Sequence, residues 1–346
     1  MPFHWYDVIV ITYVDDVLIY VRSDALIDAF ISKMVAENID LRREGTAEGF
    51  LGVKVTRADG QITLTQPGLT LRVIEACGLC SAFSTTCETP AECSPLPRNK
   101  DDLPAGSSIN YASVVGMLLY LCGHSCPDIS FAVHQCARYT FEPKHTHELA
   151  LKRIARYLKG TLDKGLILTP TATLDIDCYP DADFAGLYGA ECPQDPHCAK
   201  SRTGFVILVA NCPVVWKSKL LTEIALSTME AEYVALSTAC KDLFPIQDMV
   251  KELGAALGFS LAKITNFHVK VHEDNVGALT LGCLEPRRMT PRSKHYAIKY
   301  HWFREHLEPR HISLVKVESA KQLGDIFTKG LGPVKFRQMQ KLLMGW

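Results

Sequence analysis

The sequence predicts an α+β to α/β chain: a hairpin-rich first part, a helical tether, and a second half in which strands alternate with helices. Three observations lead there. Residues 8–21 hold two β-rich runs, VIVITYV and VLIYV, that meet at Asp15-Asp16, a hairpin with two carboxylates at its tip. Residues 111–122, 127–140 and 145–159 read as three helices, the second opened by Pro127 at an N1-like position. Beyond residue 170 the rhythm changes: LDIDCYP alternates apolar Leu174, Ile176 and Cys178, the mark of a half-buried strand.

The other elements follow in order. Leu26, Ile27, Phe30, Ile31 and Met34 recur at helical spacing, so 24–37 is an amphipathic helix. FLGVKVTRADGQITLTQPG is a second hairpin turning at Asp59-Gly60, and a short helix follows over 69–79. From Ser84 to Ile109 the chain carries Pro90, Pro95, Pro97 and Pro104 and reads as a linker or extended loop. GFVILVA and PVVWKS pair across a turn at Asn211–Pro213. A long helix starts near Thr228, with Pro245 kinking it. FHVKVHE and HISLVKVE are strands; helices fall at 275–281, 293–307 and from Lys321. The expected division is 1–83, a linker over 84–110, a helical connection over 111–170, and a last domain over 171–346, with no internal repeat.

A chain of 346 residues has room for about two ordinary domains. With 47% hydrophobic and 22% charged residues it is globular, not disordered. Net charge is −1, so any nucleic-acid contact comes from local patches, not from a global field. The apolar stretch Val8–Val21 carries Asp15 and Asp16 and is too short to span a bilayer. The first Lys or Arg is Arg22, so no signal peptide is expected in the given sequence. The expectation is an intracellular chain with reduced thiols, and the 13 cysteines fit that. Cys77 and Cys80, with Cys87 and Cys93, have loose zinc-like spacing; so do Cys192 and Cys198 around His197. Helical and loop settings make incidental cysteines the better reading of both.

Four acidic stretches carry the chemistry: Asp181 in CYPDADFAG, Glu230 in LSTMEAEYVAL, Asp274 in VHEDNVGAL and Asp325 in KQLGDIFTKGL. Carboxylates converging from distant positions are what hard divalent cations need to hold a phosphodiester. Each has a plainer reading. Asp181 follows a strand and is good turn chemistry, with Asp183 as its neighbouring competitor. Ser227 and Glu230 form a capping box, and Glu232 lies about 200° round the helix from Glu230. Asp274 ends a strand, where open sheets place ligands, or caps the helix after it. Its neighbour Glu273 is expected to face away. Asp325 alone is a surface helix acid. Lys152, Arg153, Arg156 and Lys159 make one helix face that is either solvated or a phosphate-tracking stripe, and Arg202 is grouped with them.

These stretches resemble a known family. LLTEIALSTMEAEYVALSTACKD, SKHYAIKYHWFREHL and ISLVKVESAKQLGDIFTKGL look like the ribonuclease H region of copia-type LTR retrotransposon Pol polyproteins. YASVVGMLLYLCGHSCPDISFAVHQCARY and LALKRIARYLKGTLDKGL are similar to that family's connection. YVDDVLIY with the hairpin after it resembles the end of its reverse transcriptase palm and the start of its thumb. The resemblance covers nearly the whole chain. It implies a ribonuclease H-like mixed five-stranded sheet with flanking helices over 171–346. It also implies metal-dependent hydrolysis of RNA in RNA/DNA hybrids, with Asp181, Glu230, Asp274 and Asp325 on two Mg²⁺ ions and Mn²⁺ as a substitute.

The chain departs from the family twice. The upstream polymerase carboxylate is absent before Tyr13, and Asp7 is a poor substitute, so Asp15 and Asp16 are expected to be inert unless an upstream polyprotein part partners them. Residues 187–199 lengthen the turn after Asp181 and would narrow access to it. His295 precedes the last strand, unlike the family's mobile histidine, and packing or phosphate contact is the reading for it. The competing expectation is a decayed, catalytically silent copy that at most binds nucleic acid.

Overall fold

The computed structural model describes residues 8–21, 23–45, 48–81, 83–189, 195–260, 264, 267–285, 288 and 301–346. β1 (Val8–Tyr13) and β2 (Asp16–Val21) form an antiparallel hairpin turned through Val14 at φ 51°, and α1 (Asp24–Ala36) follows. None of these three elements holds a buried residue, so this part does not share the cores described below.

A second sheet joins β3 (Gly49–Phe50), β4 (Val53–Ala58) and β5 (Gln61–Thr65) to β6 (Leu166–Leu168). Asp59 and Gly60 take φ of 51° and 76°, the paired left-handed residues that an Asp-Gly hairpin turn requires. The helices α2 (Pro67–Ala76), α3 (Tyr111–His124), α4 (Ser130–Ala137) and α5 (His145–Gly160) fall where sequence periodicity puts them, with a 3-10 turn at Pro127–Ile129.

The main sheet holds β7 (Ile176–Asp183), β8 (Arg202–Val209), β9 (Cys212–Leu220), β10 (Val269–Glu273) and β11 (Ile312–Lys316) in the order β11-β10-β7-β8-β9. β7, β8 and β9 are an antiparallel meander; β10 runs parallel to β7, and β11 parallel to β10. This is the mixed five-stranded sheet that the resemblance implies. Parallel neighbours need crossovers, supplied by α6 (Thr228–Ala256), then α7 (Val276–Gly282) and α8 (Arg304–Leu307). Two helices close the chain, α9 (Asp325–Thr328) and α10 (Pro333–Met344).

β8 shows how the parts are joined. Phe205 and Ile207 pack with Tyr233, Leu236 and Cys240 of α6. Val206 and Leu208, on the alternate positions, pack with Leu118, Leu121, Leu151 and Ile154 of the connection. A strand buried on both faces reads as a continuous apolar run, which GFVILV is. The main sheet is therefore a wall between two cores. Phe336, Met339, Leu343 and Met344 of α10 lie in the connection's core, so buried packing continues across residue 170.

The stretch 84–110 is not a free linker. Arg153 donates to Thr89 O at 3.2 Å, His147 Nε2 pairs with Pro97 O at 2.8 Å, and Gln135 accepts from Leu96 N–H at 3.2 Å. Proline removes the chain's own ladder donors, and the connection helices supply partners instead.

Candidate active site

Asp181 lies inside β7, not after it, and is fully buried. It pairs across the ladder with Gly204 of β8. Two close approaches fix its surroundings. A Cβ on Gly204 would come within 2.6 Å of Phe327, and one on Gly324 within 2.7 Å of the Asp181 side chain. Only bare backbone at both positions lets α9 lie against β7 and β8. Gln322 stitches the strands together there, donating to Pro180 O at 2.9 Å and His272 O at 3.1 Å. The competitor Asp183 is half-buried and lies outside the group described next.

Asp181, Glu232 and Asp274 each offer a carboxylate oxygen, and the three oxygens lie within 4.8 Å of one another. Glu230, expected here, does not join them. Its backbone N–H donates to Ser227 Oγ at 3.1 Å, and its carboxylate accepts from Leu226 N–H at 3.0 Å. The Ser227 cap and the Leu226 bond thus hold Glu230 at the mouth of α6, and two residues of helix, about 200°, carry Glu232 to the strands. Ala231 and Ala235 pack on Ala182, which lets the helix approach β7 closely. Glu232 Oε2 is buried and has no hydrogen-bond partner among the described residues. A sequence signal for Glu232 existed: it is the sole charge between Ala231 and Cys240, in a stretch buried from 231 to 237.

Asp274 is half-buried at the end of β10. The capping role open to it belongs to Asn275, whose side chain accepts from Ala278 N–H at 3.0 Å. Glu273 is buried beside it; one oxygen accepts from Asn275 N–H at 3.0 Å and the other has no partner among the described residues.

Asp325 is a buried acid, not a surface one. It stands one step away, tied by ammonium groups: Lys329 Nζ lies 2.6 Å from Asp325 and 3.3 Å from Asp181, and Lys335 donates to the other Asp325 oxygen. Thr328 donates its hydroxyl to Asp181. Lys329, Thr328, Gln322 and Gly324 were not legible as site residues. Their roles arise from α9 folding back onto β7.

Burial dominates the electrostatics. It pushes Asp181 up to about 7 against the pull of Lys329, and Asp325 and Asp274 add repulsion. Burial likewise pushes Glu232 up to about 10, with Asp181 and Glu273 contributing, and raises Glu273 well above its ordinary range. Crowded buried acids of this kind call for a cation. The donor set fits one: hard oxygen ligands, close together, one with no other partner. The triad could hold a metal ion.

The basic residues are placed otherwise than expected. Lys159 Nζ donates to Leu79 O at 3.1 Å and Ser84 O at 3.3 Å, Lys152 pairs with Glu148 at 2.7 Å, and Arg153 holds Thr89. Lys159 and Arg153 fasten the 79–89 stretch to α5, while the Lys152 pair lies within the helix. Arg202 is buried, donates to Ser218 Oγ at 3.1 Å and lies over the Phe131 ring at 5.4 Å. Arg156 is half-buried. His295 and residues 190–194 of the lengthened turn lie outside the described residues. Asp195, beyond them, pairs with Arg98 at 3.2 Å.

A meander continued by two parallel strands, with carboxylates gathered at its central strands, defines a ribonuclease H-like fold. Sequence comparison places the chain more narrowly. It is 30% identical over 331 residues to a "Retrovirus-related Pol polyprotein from transposon RE2" of Arabidopsis thaliana, covering 96% of this chain and 21% of the relative. It is 29% identical over 345 residues to the Pol polyprotein from transposon TNT 1-94 of Nicotiana tabacum, covering 97% of this chain and 24% of the relative. The chain belongs to the copia-type retrotransposon Pol polyproteins and spans about a fifth to a quarter of the length of these relatives. No family model matches it. Among solved structures, LC11-RNase H1 isolated from compost aligns with 45% of this chain and 94% of its own, at 18% identity and a TM-score of 0.32. The fold assignment rests on strand order and not on that superposition. Among the described residues no helix is long and apolar enough to cross a membrane.

Proposed function

We propose that this chain hydrolyses the RNA strand of RNA/DNA hybrids endonucleolytically, with two Mg²⁺ ions held by Asp181, Glu232 and Asp274 and with Asp325 beside them. The observation that carries the reading is the Asp181–Glu232–Asp274 group, two of its acids buried, with its unpartnered Glu232 oxygen. Bound there, divalent cations would supply an activated water and charge stabilisation for the leaving 3′ oxygen. The chain's own part is to hold oxygens in place. Gly204 and Gly324 press α9 onto Asp181, Thr328 fixes one of its oxygens, and Asn275 takes the cap and leaves Asp274 free. Choice of RNA rests on 2′-hydroxyl contacts across a wide minor groove.

Polymerase activity is not part of this proposal. We take the β1–β2 hairpin as a reverse transcriptase palm element, with Asp15 and Asp16 at its tip. Among the described residues the single group of three or more metal-competent side chains is the one at Asp181, so these two acids have no third partner.

The test is cleavage of a labelled hybrid with Mg²⁺, with Mn²⁺ and with EDTA, beside an Asp181→Asn control. Activity that survives chelation sinks the metal reading. No cleavage under any condition, by well-folded protein, favours the silent copy.

A further inference from the structure

Lys329 stands where a cation would be wanted. It follows the last residue of α9, and its ammonium spans the gap between Asp181 at 3.3 Å and Asp325 at 2.6 Å. Asp181 and Asp325 are both buried, and Asp325 is held from its other side by Lys335. The Lys329 side chain itself is 37% exposed. Its anchor is firm: Thr328, the residue before it, is fully buried and bonded to Asp181. A fixed backbone thus carries a flexible arm whose charged end reaches into the carboxylates on one side and touches solvent on the other.

We propose that Lys329 is a displaceable internal cation: it neutralises the Asp181–Asp325 edge of the metal-free molecule, and a divalent ion binding that edge drives it out toward solvent. This rests on the metal-site reading above. Two monovalent anions with the Lys329 ammonium between them and the Lys335 ammonium on the far side are balanced without metal. A doubly charged ion sharing Asp181 must either displace that ammonium or bind against its repulsion, and both weaken binding. The same ammonium keeps the metal-free edge from splaying. Lys329 is thereby a positioning residue that sets how much divalent cation the site needs.

The experiment uses Mn²⁺ alone as the probe, with no substrate. Calorimetric Mn²⁺ affinity and the thermal midpoint, in EDTA and in Mn²⁺, are measured for the parent, Lys329→Met, Lys329→Gln and Asp181→Asn. The expected result is Mn²⁺ binding about tenfold tighter in both Lys329 variants, the size of an ordinary coupling between two ligands. Their metal-free midpoint falls below the parent's, and Mn²⁺ raises it by more than it raises the parent's. Affinity equal to or weaker than the parent's overturns the proposal. So does failure of both variants to fold in Mn²⁺, because a replaceable cation is not required for folding. If Asp181→Asn binds Mn²⁺ like the parent, the metal site itself is wrong. If Asp181→Asn loses binding and the Lys329 variants match the parent, only the displacement falls.

Discussion

Glu230 and Glu232 sit two residues apart at the start of α6 and face different ways. Glu230 accepts from Leu226 N–H and closes the helix mouth, while Glu232 presents an unpartnered oxygen within 4.8 Å of oxygens on Asp181 and Asp274. Glu232→Gln should lower hybrid cleavage by more than about 100-fold, since a neutral amide cannot replace an anionic ligand. Glu230→Gln keeps an acceptor for Leu226 and should stay within a few-fold of the parent. The same assay on both variants decides, and a reversed ranking would return the ligand role to Glu230.

Leu343 is 1% exposed in the core that joins α10 to the connection helices. Leu343→Ala should cost about 2–5 kcal/mol, the usual range for a buried leucine truncation. Because β8 borders both cores, urea unfolding should show one transition for the sheet and the connection helices. Two separated transitions would mean that the cores are independent.

Asp128 is buried, accepts from Tyr157 Oη, and accepts from Gln340 Nε2 at 3.1 Å. Burial raises its carboxyl above the ordinary value of 3.8, although the two hydrogen bonds oppose this. For an acid raised in the folded state, stability is fully present below the unfolded value and is lost as pH rises through the folded one. Asp128→Asn keeps an acceptor and cannot ionise. Its stability relative to the parent should therefore improve as pH rises from about 4 toward neutrality. Urea midpoints of both proteins across that window check it, and a constant difference would show that Asp128 is not the titrating group.

Arg153 and Lys159 fasten the 79–89 stretch to α5. Arg153→Ala and Lys159→Ala should each cost about 1 kcal/mol of stability and leave the salt dependence of hybrid binding unchanged. A fall in the salt slope of about one unit per substitution would instead reveal a phosphate contact.

Asp15 and Asp16 have no third metal-competent neighbour among the described residues. Templated primer extension by this 346-residue chain should be undetectable, and Asp15→Asn should leave hybrid cleavage unaltered. Extension that depends on Asp15 would overturn this account of the hairpin.

Local features were legible in the residues. Asp59-Gly60 could only be a tight turn, because it needs two left-handed residues in succession. The alternation in 174–178 marked a strand, and GFVILVA and PVVWKS marked a strand pair; only the structure shows GFVILV covered on both faces. The order of the acidic stretches put Asp181 and Asp274 in the candidate site. Tertiary structure decided the rest. Glu230 and Glu232 are both plausible acids on one helix turn, and only the packing of Ala231 and Ala235 against Ala182 shows which faces β7. Lys159 and Arg202 carry the same charge on a surface or in the interior, and only the carbonyls and rings beside them say which. Lys329 lies 148 residues from Asp181, and no periodicity links them. Their meeting depends on Gly204 and Gly324 leaving room for α9, a property of two chain segments pressed together and not of either alone.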